Sequence, residues 1–242
     1  LRFAVMGDTQ GQHLLSTLLE DINRHGAEYL IVPGDLVSTG SVDAKKHGSW
    51  QSWIQQAAAF KPGFDHILMT PGNHDLPSGG DKRWRNTFAN TPDGGPWLPD
   101  SPTVNGKRGL DQMDYFVDVG NIRFISLTTD TQKYGAQTLA DETLNWLLEV
   151  LRVTEEAEAI EHVFVFTHHP VTFDSFAPTI AGTVGKLWQG IVTESTKTHA
   201  LFTGHWHLFQ PSRPDANRPE TWEVVTGTGG GGLEGRMQQS HH

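Results

Sequence analysis

The chain has no cysteine among its 242 residues. That excludes a disulfide framework and any thiolate metal site, and it leaves the compartment open. No apolar run approaches the ~18 residues of a membrane span, so no membrane segment is expected. Positive charge is scarce, with 18 Lys and Arg against 28 Asp and Glu and a formal charge of -10. This balance argues against a nucleic-acid backbone as the main partner. Carboxylates that hold divalent cations would be neutralised and would lower that negative charge. Internal repeats and low-complexity linkers are also missing. What is present, 36% hydrophobic and 19% charged residues, describes a soluble globular chain. Its length suits one domain over 1–242 with insertions and a full core. The start at Leu1 without Met fits a leader removed upstream, so a cytoplasmic and an exported location both stay open. The closing Ser240-His241-His242 fits a tag remnant and is set aside.

Five polar clusters follow apolar runs. They are Gly7-Asp8-Thr9-Gln10, Gly34-Asp35-Leu36-Val37, Pro71-Gly72-Asn73-His74-Asp75, Thr167-His168-His169-Pro170 and Gly204-His205-Trp206-His207. Any one alone reads as turn chemistry. Five at strand ends exceed what turns require, and strand C-terminal edges are where open α/β sheets place ligands.

The order of elements supports that placement. A strand over Arg2 to Met6 precedes a helix with Leu14, Leu15, Leu18, Leu19 and Ile22 at helical spacing. Tyr29 to Val32 is a second buried strand, Trp50, Trp53, Ile54 and Ala57 share one helix face, and Ile67 to Met69 leads into Asn73. This β-α-β-α-β alternation predicts a parallel sheet flanked by helices. Residues 77–112, rich in Gly, Pro, Asp and Asn, read as a long variable loop with a helical patch at Trp84 to Phe88. Tyr115 to Val119 and Ile122 to Thr128 read as a hairpin across Gly120-Asn121. A helix with Leu144, Leu147, Leu148 and Leu151 carries Asp141 and Glu142 in its first turn, where the dipole favours them. Then come a strand at Val163 to Phe166, a second variable segment at 171–183, a short helix near Leu187 to Val192, and strands at His199 to Phe202 and Trp222 to Thr226. The glycines at 229–232 lack the spacing of a phosphate loop and read as a turn.

Asp, Asn and His donors suit Mn, Fe, Zn or Mg better than thiophilic metals. Two residues apart on a regular strand, His205 and His207 point the same way and can serve adjacent ions. One arrangement has Asp35 bridging the two, with Asp8 on one ion and Asn73 and His168 on the other. Two cations ~3.5–4 Å apart would activate a water and hold a phosphoryl oxygen. His74 would then be available to protonate the leaving oxygen. His169 reads as a residue supporting a ligand, and the remaining histidines as surface or packing residues.

In this order, from residue 7 to 207, the motifs resemble the calcineurin-like metallophosphoesterases. The helix around Trp146-Leu147 resembles the one these enzymes carry before their fourth motif. The resemblance implies an α/β fold, a four-layer α/β/β/α sandwich of two mixed sheets flanked by helices. It implies a dinuclear centre of Mn, Fe, Zn or Mg that hydrolyses a small phosphorylated substrate, monoester or diester, through a metal-bound hydroxide. Asp8, Asp35 and His207 would hold one metal, and Asp35, Asn73, His168 and His205 the other. His74 matches the catalytic histidine. Gln10 stands where members commonly have His and would be a weaker ligand, direct or through water. The protein-phosphatase frame Gly-Asp-x-x-Asp-Arg-Gly reads Gly34-Asp35-Leu36-Val37-Ser38-Thr39-Gly40 here. The Asp that pairs with the catalytic histidine and the Arg that clamps a monoester are therefore absent, and a purple acid phosphatase would have Tyr at 38.

Two alternatives stay open. One is a weak or inactive metal- or phosphate-binding domain of the same fold, and the other a nucleotide pyrophosphohydrolase. Arg83, Arg85, Trp97, Phe173 and Phe176 are the rim residues available for substrate contact. Oligomeric state is unread.

Overall fold

β1 (Phe3–Val5), β2 (Tyr29–Pro33) and β3 (Ile67–Thr70) pair in that order as a parallel sheet. The computed structural model describes residues 1–11, 14–38, 49–76, 80–130, 139–171 and 178–233, with the backbone alone over 178–184. β2 is central, and four of its five residues are buried, as expected of an apolar strand covered on both faces. α1 (Leu14–Arg24) and α2 (Trp50–Ala57) cover the outer face through Leu15, Leu19, Trp50, Trp53 and Ala57. The start of α2 is set by Ser49, whose side chain accepts the Ser52 N–H at 3.2 Å.

The second sheet has six strands: β4 (Tyr115–Val119), β5 (Ile122–Ser126), β6 (His162–Phe166), β7 (Thr198–Thr203), β8 (Phe209–Ser212) and β9 (Trp222–Thr226). Their order is β4-β5-β6-β7-β9-β8. The four inner strands run parallel, and β4 and β8 are antiparallel edges. The mixed character expected of both sheets thus lies in this one. Alternation along its strands sends Ile125, Val163, Val165 and Leu201 to one face, under α4 (Asp141–Glu156) and α5 (Pro178–Glu194). Phe124, Phe164, Phe166 and Phe202 go to the other face, toward the first sheet. Phe3 meets Phe124 and Phe164 there, edge-on, with ring centroids 5.1 and 5.0 Å apart. The layers are therefore α1/α2, the three-stranded sheet, the six-stranded sheet and α4/α5. Among the described residues no helix is long and apolar enough to cross a membrane.

Three expectations need correction. The stretch 77–112, expected as a long variable loop with a helical patch at Trp84 to Phe88, holds more structure than that where it is described. α3 (Gly80–Phe88) occupies nine residues of it, and bridges join Asn90 to Pro96 and Val104 to Lys107. Its aromatics face inward because the core satisfies their polar atoms. Trp84 Nε1–H donates to Gln112 O at 3.0 Å, and Trp97 Nε1–H donates to Ile67 O at 3.2 Å. Trp97 is buried against Trp53 and is no rim residue. Second, residues 178–183 of the later variable segment are the first turns of α5, while Phe173 and Phe176 lie outside the described residues. Third, β7 stops at Thr203, so His205 and His207 do not sit on a regular strand; His205 has φ 69°. Strand β8 escaped the sequence reading because Pro211 argues against a strand, and Pro is tolerated where only one neighbour pairs.

Candidate metal centre

The C-terminal ends of β1, β2, β3, β6 and β7 meet at one place, and the backbone ties them together. Gly7 N–H donates to Thr226 O across the two sheets at 3.0 Å, and Gly204 N–H donates to His168 O at 2.9 Å. Gln10 N–H and Gly11 N–H donate to Asp35 O and Leu36 O, which joins the first two loops. Among the described residues, six non-glycine residues have positive φ, and four of them are Asp8, Gln10, Asp35 and His205. Non-glycine residues rarely adopt that conformation, and such strain concentrates at functional sites.

All eight residues expected at the site come together in an unbroken series of contacts. Gln10 Nε2 lies 3.1 Å from His207 Nε2, and His207 Nε2 lies 3.6 Å from Asp8 Oδ1. Asp8 Oδ2 accepts the His205 backbone N–H at 2.8 Å. Asn73 Oδ1 stands 3.0 Å from both His205 Nδ1 and His168 Nε2. His168 Nε2 is 3.5 Å from Asp35 Oδ1, and the same oxygen accepts the His74 backbone N–H at 2.9 Å. Oxygen or nitrogen ligand atoms of Asp8, Asp35 and His168 lie within 4.8 Å of one another.

The donor chemistry suits a cation. Pro33 O accepts the His168 Nδ1–H at 3.1 Å, which assigns the lone pair to Nε2. Nε2 therefore faces Asn73 Oδ1, as that amide is oriented, lone pair to lone pair. Protonating the ring would relieve this, yet burial holds His168 down at about 3. Burial likewise lowers His205 to about 2, so both imidazoles are neutral, the form that ligates. Asp35 is pushed up to about 6, chiefly by burial. Buried carboxylate and neutral imidazole lone pairs that converge in this way are the set a divalent ion satisfies.

Other residues hold this set in place. Asp75, fully buried, accepts the N–H groups of Gly72 (2.9 Å), Leu36 and Val37 (both 3.2 Å), clamping the loop after β2 to the turn after β3. Gly72 is required by closeness, since a Cβ there would run into Asp35 Oδ1. The glycine run does pass the site. Gly229 N–H and Gly231 N–H donate to Gly7 O and Asp8 O. Gly232 O accepts the His207 Nδ1–H at 2.8 Å, which turns Nε2 toward Asp8. A Cβ at Gly231 would stand 2.8 Å from His207 Cε1, so the backbone can approach only as glycine.

His74 differs from the buried set, its side chain being 46% exposed. Ser38 O accepts its Nδ1–H at 3.1 Å, and Nε2 lies 3.9 Å from Asp35 Oδ2. A backbone carbonyl at position 38 thus orients this ring, where the protein-phosphatase frame has a carboxylate. Sequence reasoning passed over Asp130. It follows β5 in Thr128-Thr129-Asp130, a sixth polar cluster at a strand end, and lies 3.2 Å from His169 Nδ1.

Residues 1–209 match the sequence model of the calcineurin-like phosphoesterases. The chain belongs to that family. Solved structures give the same fold at low identity. A dimetal phosphatase from Danio rerio is 14% identical with a TM-score of 0.59, over 92% of this chain and 86% of that one. GAP50, the anchor in the inner membrane complex of Plasmodium, is 16% identical with a TM-score of 0.63, over 99% and 76%. A purple acid phosphatase from yellow lupin (Lupinus luteus) seeds is 15% identical with a TM-score of 0.59, over 99% of this chain and 46% of that one. No curated protein sequence matches the chain.

Proposed function

We propose that the chain hydrolyses phosphate esters of a small substrate at a dinuclear metal centre. The observation that carries this reading is the position of Asn73 Oδ1, 3.0 Å from two imidazoles, one of which lies 3.5 Å from the buried Asp35. Asp8, Asp35, His207 and Gln10 would hold one ion, and Asp35, Asn73, His168 and His205 the other. When bound, two adjacent cations lower the pKa of a water and neutralise charge on the phosphoryl oxygens. The protein residues supply the rest. Asp35, reached by both donor sets, keeps them in register through the His74 N–H. His74, exposed and with its Nδ1–H held by Ser38 O, is the general acid: in its imidazolium form the ring would carry a second proton on Nε2 and pass it to the leaving oxygen. The test is to strip the protein with chelator, reload it with Mn²⁺, and assay paired chromogenic monoester and diester substrates. Metal-restored turnover supports the reading, and the ratio of the two rates assigns the substrate class.

One observation favours a second reading, a binding domain that turns over poorly. In the Gln10–His207 contact the amide N–H₂ caps the lone pair that a ligand histidine needs. Metal binding without turnover on either ester or on a nucleotide pyrophosphate would support it.

A further inference from the structure

His169 is 1% exposed, and its two ring nitrogens have different surroundings. Nδ1 is 2.9 Å from Thr129 Oγ1 and 3.2 Å from Asp130 Oδ2. The Asp130 contact is an ion-pair approach rather than a hydrogen bond, and a carboxylate oxygen so placed beside Nδ1 favours the hydrogen there, which leaves the lone pair on Nε2. Among the described residues, Nε2 is buried with no hydrogen-bond partner. Such a nitrogen gives up its hydration with nothing in return unless something binds it. Its ring centroid is 4.3 Å from that of His205 and 4.8 Å from that of His168. Ring nitrogens of His168, His169 and His205, one from each, lie within 4.8 Å of one another.

We propose that His169 is itself a metal ligand through Nε2, held in its ligating tautomer by Asp130, so that the Asn73 side of the centre presents three imidazoles. This rests on the dinuclear reading and extends it. A carboxylate behind the far nitrogen is the usual support of a ligating histidine. The consequence is asymmetry. The three-imidazole side suits Zn²⁺, Fe²⁺ or Co²⁺, whereas the side with Asp8, Gln10 and His207 leans toward harder, weaker binding.

The experiment uses chelator-stripped wild type, His169→Ala and, as a control, His162→Ala, whose histidine starts β6 beside His199. Zn²⁺ affinity is measured by calorimetry, bound ions are counted by elemental analysis, and Co²⁺ ligand-field absorption reports the donors. The expected result is two ions in wild type and the control. His169→Ala should lose roughly tenfold or more in affinity at one site and show altered Co²⁺ bands, as loss of ligand support does elsewhere. Affinity within twofold of wild type, with unchanged Co²⁺ bands, overturns the proposal. If His169→Ala fails to fold by circular dichroism, Asp130→Asn is measured instead, and unchanged affinity and bands there overturn it equally. A wild type that binds no ion defeats the dinuclear reading itself, an outcome separate from either.

Discussion

The backbone N–H of His74 donates to Asp35 Oδ1 at 2.9 Å, across 39 residues of sequence. One carboxylate therefore both faces His168 and fixes the segment that carries His74, the proposed leaving-group acid. The bond involves the main chain of residue 74, so it survives removal of the imidazole. The proposed ligation and proton delivery are therefore separable by mutation.

His74→Ala should lower kcat by about 10²–10⁴-fold, the usual weight of a positioned general acid. Metal affinity should stay within a few-fold of wild type, because the N–H to Asp35 remains. Parallel kinetics and metal titration check this. A variant that loses metal as well would mean the ring, not the backbone, holds Asp35.

Gln10→His should tighten the Asp8 side of the centre. The present amide sits 3.1 Å from His207 Nε2 and competes for its lone pair, whereas an imidazole adds a ligand. Affinity at the weaker site should rise by roughly tenfold or more. If turnover rises with occupancy, Gln10 limits the enzyme; equal binding in both proteins would show that Gln10 is no handicap.

Asp75→Ala leaves three backbone N–H groups of Gly72, Leu36 and Val37 without their acceptor. The cost should be about 2–4 kcal/mol, given about 1–3 for each buried donor stranded and some rescue by water. Urea unfolding of the metal-free protein reads it directly. A loss under 1 kcal/mol would show the clamp to be dispensable.

Asp114 provides the pH test, away from the proposed ligands. Burial raises it to about 6 although Thr143 Oγ1–H and the Thr128 and Leu110 N–H groups donate to it. The folded pKa lies above the unfolded value of 3.8, so the folded state binds the proton more tightly. Its stabilising contribution is full below pH 3.8 and is lost as pH rises to 6. The slope approaches about 1.4 kcal/mol per pH unit at its steepest. Urea midpoints of wild type and Asp114→Asn at pH 4, 5, 6 and 7 should converge as pH rises through this window. Parallel curves would reject the assignment.

Much of this molecule is readable from local pattern. The first three strands and two helices, the hairpin over Gly120-Asn121 and the helix led by Asp141 and Glu142 follow from periodicity and turn residues. All eight candidate site residues follow from polar clusters at strand ends. Less legible was any segment whose role depends on a distant partner. Gly, Pro and Asp make 89–112 resemble a loop, and only the acceptors offered by Ile67 and Gln112 show why Trp97 and Trp84 turn inward. Asp130 was missed because the strand before it was read as running through Thr128, which hid a sixth cluster.

By itself the sequence determined which atoms are offered: two carboxylates, two amides and the histidines, each at the end of an apolar run of strand length. Those choices are local, since a strand's period and its terminating residues lie within a few positions. The tertiary structure alone decided which nitrogen of each ring is free. Pro33 O, Gly232 O and Ser38 O assign the tautomers of His168, His207 and His74 from 135, 25 and 36 residues away. A hydrogen bond of that reach depends on how two sheets pack, and no window of sequence contains it.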